Sequence, residues 1–292
     1  RDCLLSRGLG DVYKRQIIKV EDALQRNYSK MPICVAVIQM ESSSNVEKNQ
    51  QTAYRLLQEA KMKGAKWAVL PEYWALMGKQ DEDKLHIRER EGQGPLQYWL
   101  KLIAKQLGMT IFAGSLPLHC TDEHRVFNSL LTISAQGECL SRYDKIHLFA
   151  YSGTEKNYHE AATIKAGDNL PPTLLVDHYK IAQGICFDLR FPELFRQQLP
   201  FDVLILPAAF TYETGEAHWE VLLRARAIEN QCYVLASAQS GMHDNGRRTF
   251  GHSMIIDPWG KVLVRVTEGE KVALAHIVPK QLETVRSRLP VF

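Results

Sequence analysis

From Met31 onward, apolar runs that predict strands alternate with amphipathic segments that predict helices. Residues 33–38 are apolar at every position, which is typical of a strand covered on both faces. Residues 45–63 repeat small and aliphatic side chains on one helical face, and Gly64 follows as a helix end. Residues 67–70 form a second apolar run, which stops at a proline. This alternation restricts the chain to an α/β domain whose strands are covered by helices.

The same pattern continues to the end of the chain, with more strands than helices. Further helices are predicted at residues 94–107, 192–198 and 218–229. Further strands are predicted at residues 110–116, 125–133, 138–146, 173–176, in a run ending at Cys186, and at 203–206, 232–238, 252–256, 262–266 and 272–276. We therefore predict a single α/β domain over residues 31–292, with strands in two sheets and helices on the outside.

Residues 1–30 differ from the rest of the chain. They contain no apolar core long enough for a signal peptide and no clear amphipathic period. They carry seven Lys or Arg and four Asp or Glu, which accounts for the entire net charge of +3. Because the first methionine ahead of an organised pattern is Met31, we expect residues 1–30 to be a non-native or poorly ordered leader. The alternative is a helical N-terminal extension, which residues 17–24 could form.

The composition of the remaining residues limits the classes of partner. Their charges balance and form no basic stripe, which argues against nucleic acid as a partner. No apolar run approaches the roughly 18 residues of a membrane span, so no membrane partner is expected. The cysteines lack paired or metal-binding spacing, and the histidines show no HxH or HExxH arrangement. We therefore expect reduced thiols, a cytoplasmic location and no bound metal.

Three chemically distinct residues lie at or near the ends of predicted strands, where α/β folds tend to place sites. They are Glu72, Lys145 and Cys186. A carboxylate could act as general base towards a thiol, and an ammonium could stabilise both the thiolate and a developing oxyanion. Each residue alone also fits an ordinary role, because free cysteines are commonly buried and Glu and Lys are commonly solvated.

The segments around these residues resemble, in the same order, the motifs of the nitrilase (carbon–nitrogen hydrolase) superfamily. The three segments are Leu70-Pro-Glu72, Tyr143-Asp-Lys-Ile-His-Leu148 and Gly184-Ile-Cys-Phe-Asp-Leu-Arg-Phe-Pro-Glu193. Residues 207–210, 217–230 and 251–260 also resemble family segments. The resemblance extends over residues 31–292, so it applies to the whole predicted domain.

The resemblance implies a four-layer αββα sandwich of the nitrilase type, which forms a homodimer or a higher homo-oligomer. It implies a triad in which Cys186 is the nucleophile, Glu72 the general base and Lys145 the stabiliser of the tetrahedral intermediate. Members often carry a second glutamate between the lysine and the cysteine, and Glu160 is the candidate for this auxiliary acid. The backbone N–H of Phe187 would be a second oxyanion donor. This thioester chemistry requires no metal or organic cofactor.

The residues after the cysteine point to a branch of the family. True nitrilases tend to have Cys-Trp-Glu, whereas this chain has Cys186-Phe-Asp-Leu-Arg190, which resembles the Nit branch. That branch implies hydrolysis of a small carboxylate-bearing amide to an acid and ammonia. The activity expected first is that of a deaminated-glutathione amidase. An ω-amidase acting on α-ketoglutaramate-type substrates and an N-carbamoyl or aliphatic amidase are the alternatives. A cation is then expected in the pocket.

Arg190 is the candidate for this cation, and Thr211 and Tyr212 lie in a loop that could line the pocket. The alternative for Arg190 is a structural ion pair with Asp188, Glu193 or another acid. Three other classes of protein remain open at this stage: a non-catalytic interaction protein that keeps the fold, a hydrolase with a Cys–His pair, and an N-acyltransferase that passes the thioester to an amine.

Overall fold

A computed structural model describes residues 30–152 and 157–292 of the chain. The helices and strands given below all belong to one compact unit, Pro32–Phe292. The leader predicted at residues 1–30 lies outside the described residues apart from Lys30, so its nature stays a prediction.

The described strands and helices follow the alternation expected from the sequence. The strands are β1 (Ile33–Gln39), β2 (Trp67–Leu70), β3 (Thr110–His119), β4 (Val126–Ile133), β5 (Cys139–Asp144), β6 (Ala150–Ser152), β7 (Asn157–His159), β8 (Leu174–Val176), β9 (Tyr179–Gln183), β10 (Val203–Ala208), β11 (Tyr233–Ala238), β12 (Ser240–Met242), β13 (Arg248–Phe250), β14 (Met254–Ile256), β15 (Val262–Arg265) and β16 (Lys271–Ile277). The α-helices are α1 (Val46–Met62), α2 (Asp83–His86), α3 (Pro95–Leu107), α4 (Pro192–Arg196), α5 (Tyr212–Asn230) and α6 (Pro279–Arg288), and 3₁₀ helices span Glu160–Ala162 and Cys186–Arg190.

Most of the described strands form two six-stranded sheets built on the same plan. The first has the order β16-β1-β2-β3-β4-β5, and β1, β2 and β3 run parallel. The second has the order β15-β14-β11-β10-β9-β8, and β9, β10 and β11 run parallel. The other pairs in both sheets are antiparallel. One parallel strand of each sheet, β2 and β9, leads directly into a predicted site segment.

The two sheets pack face to face, and helices cover their outer faces. Along β1, Val35 and Val37 pack into the core shared with the second sheet, whereas Ala36 and Ile38 pack with residues of α1 and α3. Because successive side chains of a strand point to opposite faces, a strand buried on both faces must be apolar throughout. On the second sheet, Trp219 of α5 packs into the core. The αββα sandwich expected from the resemblance is therefore confirmed.

Several element boundaries differ from those predicted. Helix α5 starts at Tyr212 instead of residue 218, because its polar first turn, capped by the Thr211 side chain, carries no apolar period. A Cβ at Gly215 in that turn would lie 2.3 Å from the Phe250 Cβ, so glycine is required there. Helix α6 was not predicted, since only Leu282 and Val285 in it are buried.

Candidate active site

Three predicted site residues meet between the two sheets, each just after a strand. Glu72 lies two residues beyond β2, Lys145 immediately follows β5, and Cys186 lies three residues beyond β9. Glu72 and Lys145 are fully buried, and Cys186 is 5% exposed. Buried charged groups are costly unless they are paired, so their partners determine what the site can do.

Lys145 binds two carboxylates at once. Its Nζ lies 2.9 Å from Oε1 of Glu72 and 2.7 Å from Oε2 of Glu160. Glu160 begins the 3₁₀ helix Glu160–Ala162, and its side chain is also largely buried. The structure therefore brings together Glu72, Lys145 and the glutamate predicted as auxiliary acid.

The two carboxylates differ in how many of their oxygens are occupied. Both oxygens of Glu160 are bound, because Oε2 also accepts from the Phe149 N–H at 2.8 Å and Oε1 accepts from the Tyr73 hydroxyl at 2.9 Å. In Glu72, Oε1 also accepts from Nδ2 of Asn128 at 2.9 Å, whereas Oε2 has no partner among the described residues. Glu72 alone of the pair keeps a buried oxygen that can accept a further hydrogen bond or a proton.

The charges of this cluster act on the thiol and on each other. Burial raises the pKa of Cys186 well above its usual value, Glu72 and Glu160 raise it further, and Lys145 opposes them. Burial lowers the pKa of Lys145, but Glu160 and Glu72 outweigh it, so the net shift is upward. Burial opposes ionisation of Glu160, yet Lys145 holds the pKa of this carboxyl below its usual value. The resting site thus contains a neutral thiol, an ammonium and an ionised Glu160.

Cys186 is held in a sharp turn by a buried carboxylate. Its φ of 50° lies in the left-handed region, which is strained for a residue with a side chain. Two residues later, Asp188 accepts from the Ile185 N–H at 2.9 Å and from the Tyr143 hydroxyl at 2.7 Å. It also accepts from the backbone N–H of His147, and its Oδ1 lies 2.7 Å from Nδ1 of that residue. Asp188 therefore joins the turn at Cys186 to the segment that carries Lys145.

This role of Asp188 was not predicted from the sequence, in which Asp188 is only a possible partner of Arg190. Because Asp188 is occupied by the lysine segment, that alternative ion pair does not form. Among the described residues, no ion pair includes Arg190; its Nη2 lies 3.2 Å from Nδ1 of His218, and its guanidinium stands over the rings of Phe187 and Phe210. A carboxylate placed two residues after the cysteine was the sequence signal for the Asp188 anchor.

A narrow pocket of about 10 Å³ opens over the thiol. Cys186, Phe187, Arg190 and Thr211, four of the predicted site residues, contribute to its lining. Phe187 is the second residue of a 3₁₀ helix, so its N–H belongs to the helix start, where donors lack partners within the helix. Tyr212 does not contribute to this lining, contrary to prediction. Its ring packs against Phe250 and lies beneath the Arg248 guanidinium, because α5 already begins at this residue and turns the side chain away.

Arg247, which sequence reasoning also missed, stands between this pocket and a larger cavity. The cavity has a volume of about 220 Å³, and Arg247 and Phe149 line both spaces. One Nη of Arg247 donates to the carbonyl of Ala209, and the backbone of Ala209 lowers the pKa of Cys186. Its Nε has no hydrogen-bond partner among the described residues. The only sequence signal for this role of Arg247 was the Arg247-Arg248 pair just before the family segment at residues 251–260.

Comparisons with known proteins identify the family of this chain. Residues 34–287 match the carbon–nitrogen hydrolase family. The chain is 41% identical over 264 residues to a deaminated glutathione amidase of Synechocystis sp., covering 89% of this chain and 96% of that protein. Its fold is similar to that of Caenorhabditis elegans NitFhit, with a TM-score of 0.81 and 33% identity over 90% of this chain and 65% of that one. It is also similar to Saccharomyces cerevisiae Nit3, a member of branch 10 of the nitrilase superfamily, with a TM-score of 0.79 and 27% identity over 89% and 95% of the two chains.

The chain belongs to the carbon–nitrogen hydrolase family. The resemblance drawn from its motifs is thereby confirmed, and the protein is a hydrolase of non-peptide carbon–nitrogen bonds. In residues 30–152 and 157–292, no helix is long and apolar enough to cross a membrane. The same residues contain no group of three or more His, Cys, Asp or Glu side chains arranged to hold a metal ion.

Proposed function

We propose that the chain hydrolyses small carboxylate-bearing amides through a thioester on Cys186, with Glu72 as general base and Lys145 as electrostatic stabiliser. The observation that carries this proposal is the uneven occupancy of the two carboxylates on Lys145. Only Glu72 keeps an oxygen without a partner among the described residues, and its charge acts on the thiol. An open carboxylate oxygen near a neutral buried thiol is suited to take the proton of the attacking sulfur.

In the first half of the proposed cycle, Sγ of Cys186 attacks the amide carbon while its proton passes to Oε2 of Glu72. The carbonyl electrons move onto oxygen, and this oxyanion binds the Lys145 ammonium and the Phe187 N–H. The intermediate then breaks its carbon–nitrogen bond, and Glu72 donates the proton to the leaving nitrogen. The products of this half are a free amine, or ammonia, and a thioester.

In the second half, water attacks the thioester carbon, and Glu72 accepts one proton of the water. The new oxyanion uses the same two donors, and its collapse breaks the carbon–sulfur bond. The departing sulfur recovers a proton from Glu72, which restores the resting site. One amide and one water thus give one carboxylic acid and one amine. Glu160 touches no reacting atom in this cycle, so we propose that it positions Lys145 and keeps it protonated.

For the substrate, we propose deaminated glutathione, the compound named in relatives that are 35–41% identical to this chain. Arg190 supports this choice, because its guanidinium lines the thiol pocket and takes part in no ion pair among the described residues. It can bind the α-keto acid end of the acyl group, with Thr211 beside it. The ω-amidase reaction on α-ketoglutaramate transfers the same acyl group, and N-carbamoyl and aliphatic amides are the remaining alternatives.

Turnover of a substrate panel tests this proposal. We expect kcat/KM for deaminated glutathione to exceed that for α-ketoglutaramate, simple aliphatic amides and N-carbamoyl amino acids by at least about tenfold, because it combines the α-keto acid end that Arg190 can bind with a leaving group that can make further contacts. Deaminated glutathione and α-ketoglutaramate release the same α-keto acid, so one assay of this product measures the turnover of both. A protein that hydrolyses N-carbamoyl compounds or aliphatic amides best would contradict the proposed substrate class.

We further propose that the protein forms a homodimer or a higher homo-oligomer through the outer face of α5. On this face Val221 and Ile228 are 62% and 47% exposed, and Trp259 in the neighbouring turn is 63% exposed. Gly260, the residue after Trp259, lies against Ile228, so the turn that carries Trp259 adjoins this face of the helix. We expect sedimentation equilibrium to give at least twice the chain mass, and Trp259→Glu to shift it towards the monomer. A wild-type monomer at micromolar concentration would contradict this.

We also propose a cytoplasmic location, without nucleic acid or a membrane as partner. All five cysteines of the described residues are free, which suits a reducing compartment. Cell fractionation tests this location, and recovery of the protein from a secreted fraction would exclude it.

A further inference from the structure

We propose that the 220 Å³ cavity beside Glu160 is a subsite for a carboxylate carried by the leaving amine, which Lys84 and Arg247 bind. The ligand class is an amide whose leaving group is an amino acid or a short peptide with a free C-terminus. This inference rests on the proposed function, because it assigns the leaving-group side of the same site.

The arrangement of the two cavities indicates which part of the substrate each one takes. The thiol pocket is lined by Cys186, Phe187 and Arg190, the groups proposed to hold the acyl carbon, its oxygen and its carboxylate. The larger cavity is lined by Tyr73 and Glu160, on the side of the carboxylates. Since Glu72 delivers the proton to the leaving nitrogen and Tyr73 follows it in the chain, that nitrogen departs towards the larger cavity.

The size of the larger cavity exceeds what ammonia requires. Ammonia is close to water in size, and one water molecule needs a cavity volume of about 10–15 Å³. The neighbouring cavity has about 220 Å³, whereas the thiol pocket, at about 10 Å³, admits the acyl group only when the two spaces join. Phe149 and Arg247 line both spaces, so movement of these two side chains would join them. The site therefore has room for a leaving group of peptide size.

The charges in this cavity favour an anion. Nζ of Lys84 donates to Oγ1 of Thr163 at 2.8 Å, and the Nε of Arg247 has no partner within the described part of the chain. Among the described residues, neither cation takes part in an ion pair, and the carboxylate of Glu160 is already fully bound. Burial lowers the pKa of Lys84 and Arg247 lowers it further, whereas Asp81 and Glu160 oppose them. A carboxylate between Lys84 and Arg247 would relieve the repulsion of these two cations.

Two substrates that share one acyl group and differ in the leaving group distinguish an effect on this subsite from a general loss of activity. Deaminated glutathione releases cysteinylglycine, which carries a carboxylate, whereas α-ketoglutaramate releases ammonia. In Lys84→Met, we expect the ratio of kcat/KM for deaminated glutathione to that for α-ketoglutaramate to fall about 10- to 100-fold, the range of a lost charge-assisted hydrogen bond. Lys84→Arg should restore most of this ratio, and Arg247→Gln should lower it as well.

A third substrate, the C-terminal amide of deaminated glutathione, keeps the size of the leaving peptide and removes its charge. The wild type should prefer the acid over this amide at least about tenfold, and Lys84→Met should lose that preference. Lys105→Met, which removes an exposed cation on α3, is the matched control and should keep it.

An unchanged substrate ratio in both Lys84→Met and Arg247→Gln would overturn the subsite while leaving the proposed function intact. A wild type that hydrolyses neither α-ketoglutaryl amide would instead refute the proposed function. A merely structural role of Lys84 predicts that both substrates lose activity in parallel, which also counts against the subsite.

Discussion

Replacing Cys186 by alanine is expected to lower kcat at least about 10⁴-fold, the largest effect of any single substitution in this protein. No other group in the thiol pocket can form the thioester, and removal of a catalytic nucleophile commonly costs this much or more. The free energy of unfolding should change by only about 1 kcal/mol, because one buried sulfur is lost and the backbone is unaltered. Steady-state kinetics and urea unfolding measure the two effects separately.

Cys232→Ala is the matched control for this variant. Cys232 is also a buried free thiol, and burial raises its pKa, but it lies two residues beyond α5 and donates to the Arg226 carbonyl. The charges that act on it are those of Arg286, Glu229 and Asp202, and none belongs to the Lys145 cluster. We expect near wild-type kcat for Cys232→Ala and a stability loss similar to that of Cys186→Ala. A folded Cys186→Ala protein that keeps more than about 1% of wild-type activity would rule out the thioester on this residue.

Replacing Lys145 by methionine should damage both catalysis and folding. It removes one oxyanion donor, which is expected to lower kcat at least about 10²- to 10³-fold. It also leaves Glu72 and Glu160 buried without a counter-charge, and breaking a buried pair in this way costs about 3–5 kcal/mol. Urea unfolding at pH 7 measures the second effect, and wild-type stability in Lys145→Met would contradict the buried ionised cluster.

The stability loss in Lys145→Met should depend on pH in a direction that the pKa shift of Glu160 determines. Despite burial, Lys145 keeps this pKa below the ordinary value of 4.5. The wild-type pair therefore stabilises the fold above about pH 4.5 and loses this contribution as the pH falls further. The difference in unfolding free energy between the two proteins should be largest near neutral pH and shrink on acidification.

Glu160→Gln serves as the control for the Lys145 variant, because it leaves one carboxylate on the ammonium. Glu160 is the strongest of the charges that raise the pKa of Lys145, so its loss should lower that pKa. We therefore expect the alkaline limb of the activity profile to move to lower pH. Identical pH profiles of Glu160→Gln and the wild type would remove the proposed positioning role.

The elements that could be predicted from the sequence are those whose signal is local. The strand β1 was identified because both its faces are buried, which requires apolar residues throughout. The first turn of α5 and the helix α6 show no clear apolar periodicity. The start of α5 was therefore predicted too late, and α6 was not predicted. Tyr212 was assigned to the pocket because a loop was predicted there, whereas in the structure it is the first residue of α5 and is not part of the pocket lining.

The amino-acid sequence was sufficient to identify the family and the sandwich and to predict Glu72, Lys145 and Cys186 as site residues, because each of the three lies in a short motif readable in order along the chain. Only the tertiary structure decided which oxygen of which glutamate is open, since the hydrogen bonds that occupy the others join residues far apart in the chain, 73 positions in the case of Lys145 and Glu72. Likewise, the anchoring role of Asp188 and the cation Arg247 between the two cavities depend on contacts across the sheets. Such contacts follow from packing, which no local pattern encodes.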